Sequence, residues 1–364
     1  MFGIPNKAAA AFLRQAGVYG ADIATLAQAL AGDGVISGVG VSAQGSPNMT
    51  VAVAAGLVRI GGYFCFITAQ NVTIAAADAT NPRIDLVVTD WNGNVSRVAG
   101  TAAFKPVAPD VPANSIQLAQ VYVPASASAI LATYIYDRRA AVPDYFDFAD
   151  EFLSSNLSAT AATITGNFGE FGWSVAASGT LAAPSNQAGS SNHPGIVRTA
   201  TGGTSGNNTQ ISTGSTLDPS RIARLRFIVA VPTITSIAIK LGLGQSINDA
   251  AAGSLGTAGA FIEFVPATSA KWRYTTRQAS ASTTNADTGA DVAAGSWYQF
   301  DIIRKQNGNI QFLKNGALAF EHSTNLPTTN CLIGTLTHTL TTAARNLDHD
   351  FIGLNFAPLG NRYT

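Results

Sequence analysis

Charged residues are scarce in this 364-residue chain. Asp, Glu, Lys and Arg make up 12% of it, in 21 basic and 21 acidic side chains that cancel to a formal net charge of zero. Ordinary globular proteins carry roughly 25%. No basic stripe forms; the densest groups are Arg138-Arg139 and the trio Arg221, Arg224 and Arg226. Nucleic-acid binding draws on clustered phosphate-neutralising charge, so no nucleic-acid partner is expected. Cysteine is nearly absent. Cys65 and Cys331 form neither a disulfide framework nor a zinc spacing, which predicts two buried free thiols and folding in a reducing cytoplasm. No run of 18 apolar residues occurs, so no membrane insertion is expected. The N-terminus MFGIPNKAAAAFLRQ lacks the apolar core of a signal peptide. The four histidines, His193, His322, His338 and His349, fall in no HExxH arrangement, no GxSxG elbow occurs, and the glycine-rich TGGTSGNN opens no helix. Zinc hydrolysis, a serine triad and a phosphate loop therefore lack support, and no metal or cofactor is called for.

What is present is apolar residue in quantity, 46% of the chain. That is ample to form cores, and the length predicts two or three domains. With charge so low, polar surface must come from Ser, Thr, Asn and Gln. Residues 7–31 hold the one helical periodicity, with Gly17 and Gly20 dividing it into two short helices. Such a pair must dock on its own domain or on another chain, and both readings stand. From Val35 to Val142 the pattern turns to short strands rich in Val, Ile, Thr and Tyr, separated by Gly45-Ser46-Pro47, Gly61-Gly62, Asn81-Pro82 and Asn92-Gly93-Asn94. Pro143 breaks the pattern, and acidic residues among phenylalanines then open a second unit. Residues 176–216 are poor in large apolar residues and are expected to be long ordered loops with polar strands such as GIVRTATGG and NNTQIST. Firmer strands follow. WYQFDIIRK alternates Trp297, Gln299, Asp301 and Ile303 against Tyr298, Phe300, Ile302 and Arg304, and Asn307-Gly308-Asn309 and Asn315-Gly316 mark hairpins. The expected fold is all-β: two β-sandwich domains, the second a jelly roll. The segments are a helical anchor at 1–34, a first sandwich at 35–143 and the jelly roll at 144–364.

A glycosidase needs two carboxylates about 5–9.5 Å apart. The one strand pair available is Asp348 and Asp350 around His349, for which a structural role is favoured, and the glucanase pattern of three acidic residues on alternate strand positions is absent. The chain is therefore expected not to be an enzyme. Candidate ligand-binding residues are Trp272 and Tyr274, which share a strand face at i, i+2 and could form a sugar platform or a core stripe. Asn285, Asp287 and Asp291, in the polar loop NADTGAD, join them, with a plain solvated loop as the alternative.

Two resemblances carry the reading further. MTVAVAAGLVRIGG, NPRIDLVVTDWNGNV, PANSIQLAQVYVPA and IYDRRAAVP, in that order, resemble the N-terminal β-sandwich domain of tailed-phage baseplate and tail-appendage proteins. GSWYQFDIIRKQNGNIQFLKNGALAFEHSTNLP followed by NLDHDFIGL resembles the back half of concanavalin-like and laminin-G-like jelly rolls. The resemblance implies a virion structural protein of a phage tail, baseplate or fibre, assembled in the host cytoplasm. Its partners would be itself, as a homotrimer, other tail or baseplate proteins and a host cell-surface polysaccharide. Host adsorption would fall to the lectin-like domain, through the stretches 176–216 and 280–295. Two alternatives remain open: a structural or decoration protein without host contact, and a polysaccharide depolymerase.

Overall fold

The structure, a computed structural model, describes residues 32–144, 146–152, 163–168, 173–178, 182–213, 216–245, 257–279 and 281–357. The helices expected within 7–31 lie outside the described residues. The chain is all-β and divides into two compact units, one built mainly from residues up to Asp147 and the other from Phe148–Arg304 with Gly308–Phe356.

The first unit contains β1 (Gly34–Gly38), β2 (Val41–Ala43), β3 (Thr50–Val53), β4 (Gly56–Ile60), β5 (Tyr63–Ile67), β6 (Gln70–Thr73), β7 (Arg83–Asp90), β8 (Val95–Val98), β9 (Ser115–Val123) and β10 (Ile135–Asp137). They form three antiparallel sheets, in the orders β1-β4-β5, β2-β3-β6 and β10-β9-β7-β8. Alternating Val and Ile from all three, among them Val51, Val58, Ile67, Val87 and Val121, close one core. Gly61 and Gly62, both at positive φ, make the two-residue turn between Ile60 and Tyr63. The Asp90 carboxylate holds the β7–β8 turn by accepting from the backbone N–H groups of Asn92 and Asn94, each at 2.9 Å. Asp85 is fully buried and accepts from Arg83 Nε at 2.9 Å, Arg97 Nη1 at 3.0 Å and the Gly100 backbone N–H at 2.9 Å. Cys65 and Cys331 are buried free thiols.

The second unit contains β11 (Phe148–Asp150), β12 (Thr163–Phe168), β13 (Trp173–Ser178), β14 (Ala182–Gln187), β15 (Ile196–Ala200), β16 (Asn208–Ser212), β17 (Ile222–Ala230), β18 (Ile237–Gly244), β19 (Gly259–Phe264), β20 (Arg273–Gln278), β21 (Ala281–Ala286), β22 (Trp297–Arg304), β23 (Ile310–Lys314), β24 (Ala317–His322), β25 (Leu332–Thr339) and β26 (Asn346–Phe356). A first eight-stranded sheet runs β14-β15-β26-β17-β22-β23-β24, with β11 also on β26. A second eight-stranded sheet runs β12-β13-β16-β25-β18-β19-β20-β21. This is a β-sandwich of jelly-roll type. Leu225, Phe227, Phe300 and Phe312 from the first sheet and Ile239, Leu241, Ile262 and Tyr274 from the second belong to one buried core. Asn315 and Gly316, at φ 51° and 79°, close the β23–β24 hairpin as the Asn-Gly pair predicts. In residues 176–216 the polar strands expected at GIVRTATGG and NNTQIST are β15 and β16. The end of β13 and all of β14 add strand where loop was expected, because Ser, Thr and Asn on a paired strand satisfy their backbone through neighbouring strands. Likewise 281–286 is strand β21 rather than loop.

Candidate functional site

The expected sugar platform lies inside the protein. Trp272 and Tyr274 are both fully buried. The Trp272 ring lies 4.8 Å from Phe300 and 5.5 Å from both Phe264 and Tyr298, and Tyr274 lies 5.6 Å from both Phe312 and Phe320. The i, i+2 spacing puts the two rings on one face, and that face is the inner one. The platform is therefore corrected to a core stripe, whose rings interlock between the sheets. Trp173 is also buried, with Nε1 donating to Asp150 Oδ2 at 3.1 Å.

Asn285, on β21, stands opposite Tyr274. Asp287 is buried, ion-pairs with Lys314 and accepts from the Gly289 backbone N–H at 3.0 Å. Asp291 is exposed and pairs with Lys271 Nζ at 3.0 Å. Each carboxylate thus has its own lysine, and among the described residues no group of three or more His, Cys, Asp or Glu side chains is placed to hold a metal. Of the five expected ligand residues, two are in the core and the two carboxylates are neutralised separately, so the structure does not assemble them into one site. The apolar pocket bounded by Pro219, Leu243, Ile302 and Pro327 measures about 10 Å³, room for a single water rather than a sugar.

The outer faces of the two sheets differ in chemistry. On the first, Arg198 holds Asp348 through two hydrogen bonds of 2.6 and 2.7 Å. Asp301 accepts from Arg224 Nε at 2.8 Å and Arg226 Nε at 2.9 Å. Asp350 meets His193 Nδ1 at 2.8 Å, and the His193 ring stacks on Trp297 with centroids 4.1 Å apart. Burial pushes the Asp350 carboxyl up, and the His193 hydrogen bond opposes that shift. Asp348 and Asp350 are thus engaged in separate pairs.

On the second sheet, strand register draws a row of side chains across five strands. Gln210 stands opposite Leu336, Leu336 opposite Lys240, Lys240 opposite Glu263, and Glu263 opposite Arg273. At about 4.8 Å per strand step the row spans about 19 Å. Core residues alternate with it along each strand, so the row lies on the side of the sheet away from the sandwich core, where Lys240, Glu263 and Leu336 are nonetheless buried. Arg273 Nη2 lies 3.4 Å from Glu263 Oε1, and Lys240 Nζ lies 5.5 Å from the centre of the Phe261 ring. A step along the strands, His338 stands opposite Asn208. Gln210 Oε1 and Arg277 Nε, on the same face, are buried atoms with no hydrogen-bond partner among the described residues. The row holds an amide, then Leu336, then an ammonium, a carboxylate and a guanidinium, groups that can hydrogen-bond hydroxyls. The outward positions of β19 are Gly259, Phe261 and Glu263, so that strand contributes a single carboxylate. Glu170 and Asp249, two further carboxylates, lie outside the described residues.

The sequence reading missed this row. Its members are dispersed from Gln210 to Leu336, and no short motif joins them. The one local signal was Lys240 and Glu263 interrupting strands that are otherwise apolar.

No family model matches the chain, and no curated protein matches it. Solved structures do. A protein of unknown function from Shewanella oneidensis MR-1 matches with a TM-score of 0.43 at 15% identity, over 59% of this chain and 88% of that one. A β-glucanase of Bacillus licheniformis matches with a TM-score of 0.37 at 14% identity, over 57% and 97%. The Crh5 transglycosylase matches with a TM-score of 0.38 at 10% identity, over 58% and 85%. The expectation that the chain is not an enzyme is corrected here: the solved structures that match it include a glucanase and a transglycosylase, so absence of enzymatic activity is not carried forward.

Proposed function

We propose that the second unit contacts a carbohydrate through the outer face of its second sheet, in the row Gln210, Lys240, Glu263 and Arg273. The observation that carries this reading is that row itself: polar side chains on one face of a jelly roll, interrupted by Leu336, with Gln210 Oε1 on β16 and Arg277 Nε on β20 unpaired among the described residues. Glu263 on this face pairs with Arg273, as the carboxylates of the opposite face pair with their arginines, so the distinguishing feature is the two unpaired polar atoms. The test is binding of the full chain to immobilised bacterial surface polysaccharides. Gln210→Ala and Arg277→Ser should each weaken binding about tenfold, the loss of one well-made hydrogen bond to a charged or buried partner. Arg198→Ser, on the other sheet, should leave it unchanged. Equal binding by all three variants would refute the assignment.

The finer proposal is a component of a phage tail, baseplate or fibre. Residues 1–143 would supply attachment to tail proteins and trimerisation, and the second unit would meet the host glycan. Its support is the ordered set of four segments in 35–143. Immunogold labelling of intact particles checks it: label on the tail supports it, and absence of the protein from particles overturns it. A depolymerase is a second reading, favoured by the Glu263 carboxylate within the polar row. Release of reducing ends from the bound glycan, lost in Glu263→Gln, would select it.

A further inference from the structure

Every large hydrophobic side chain that stands exposed among the described residues belongs to the first unit: Phe104, Val107, Val111, Leu131 and Tyr136. Three of them lie on one arm, the segment 99–114 that leaves β8 and leads into β9. The arm is tied at its two ends. The Ala103 N–H donates to Pro82 O at 3.0 Å, and Asn114 O accepts from the Trp91 N–H at 3.2 Å. Between these ties Pro106, Pro109 and Pro112 remove backbone donors and favour an extended course. Phe104 is 85% exposed and Val107 81%. Lys105 and Asp110 are exposed too, and neither has an ion-pair partner among the described residues. Three exposed large hydrophobics within eight residues of an extended segment are concentrated enough to be weighed as an interaction surface.

The sequence of the arm names its partner. Written against itself in reverse, residues 104–111, Phe-Lys-Pro-Val-Ala-Pro-Asp-Val, match by chemistry. Phe104 meets Val111, Lys105 meets Asp110, Pro106 meets Pro109 and Val107 meets Ala108. A two-fold axis between positions 107 and 108 brings each of these matches about twice, once from either chain. Self-complementarity of this form is what an isologous contact requires. A heterologous partner would have no need of it.

We propose that the arm is a homotypic contact, in which residues 104–111 of one chain lie antiparallel along the same residues of a second copy. Lys105 then pairs with Asp110 of the second copy, twice over, and Phe104 and Val111 are covered. The contact is independent of the carbohydrate reading and additional to any trimer. Two chains, or two trimers, are joined through it.

Charge reversal on the full chain tests the proposal. Lys105→Glu alone and Asp110→Lys alone each set like charges opposite one another at both ends of the contact. Each should weaken self-association at least about fivefold, by sedimentation velocity at low salt. The double variant K105E/D110K should restore it, and an equimolar mixture of the two single variants should form mixed pairs. All the residues changed are exposed, and unchanged circular dichroism will show that folding is intact. Val107→Cys supplies a second readout. Next to the axis, it should cross-link two chains under an added oxidant, since Cys65 and Cys331 are buried. A wild-type chain without self-association, a double variant as weak as the singles, or a V107C chain that does not cross-link would each overturn the proposal.

Discussion

The two units of this chain resolve the same shortage of charge in opposite ways. The first carries all of the exposed large hydrophobics among the described residues and not one histidine. Its polar focus is a single buried carboxylate, Asp85, held by two arginines. The second unit exposes no large hydrophobic among the described residues. It buries an aromatic stripe, holds all four histidines, and sets its remaining charge on the outer faces of two large sheets. The difference teaches that composition averaged over a chain conceals division of labour. One unit leaves large apolar side chains exposed, while the other exposes none among the described residues.

The largest expected effect breaks the second core. Trp272→Ala removes a fully buried indole packed on Phe264, Tyr298 and Phe300 and should cost about 3–5 kcal/mol. Hydrogen exchange after the substitution should show lost protection in β18 to β22 and retained protection in β7 and β9. Equal loss in both units would mean that they unfold together, and the contrast drawn here would fail. The matching lesion in the first unit is Asp85→Asn, which leaves Arg83 buried without its carboxylate. It should cost about 3 kcal/mol, read from the urea midpoint of the β7–β9 amides.

A pH titration separates the units next. Burial depresses the His349 imidazole to about 3 and lowers His322 in the same direction. A histidine with a depressed folded value binds fewer protons in the native state than in the unfolded one. Its contribution is therefore complete above the unfolded value near 6.5 and is lost as pH falls toward about 3. Between pH 6 and 4.5 the second unit should lose about 1 kcal/mol per pH unit, and the first, lacking histidine, should change little. His349→Gln should flatten that slope; an unchanged slope would assign it elsewhere. The smallest effect concerns the first sheet's outer face. Arg198→Ser opens a partly exposed pair with Asp348 and should cost about 0.5–1 kcal/mol, seen as a small fall in thermal midpoint.

Much of the fold was legible locally. WYQFDIIRK placed Tyr298, Phe300 and Ile302 on one face, and all three are core residues. Asn315-Gly316 and Gly61-Gly62 marked hairpins that the structure contains. GIVRTATGG and NNTQIST marked β15 and β16, whereas β13 and β14 were harder to read, because Ser, Thr and Asn look the same in a loop as on a strand whose backbone is paired. The site was hardest of all. Trp272 and Tyr274 could be assigned to a common face, but the same period-2 spacing serves an inner stripe and an outer platform equally well.

By itself, the sequence determined that this protein is all-β and where its tight turns fall. Those properties depend on neighbours a few residues apart. Only the tertiary structure decided that Trp272 and Tyr274 point inward and that Gln210, Lys240, Glu263 and Arg273 form one outward row. Inside and outside are defined by the opposing sheet, and the row exists through the pairing of β16 with β25, β25 with β18, β18 with β19 and β19 with β20. Register between strands this distant in sequence is set by packing of the whole sandwich, which no local spacing encodes.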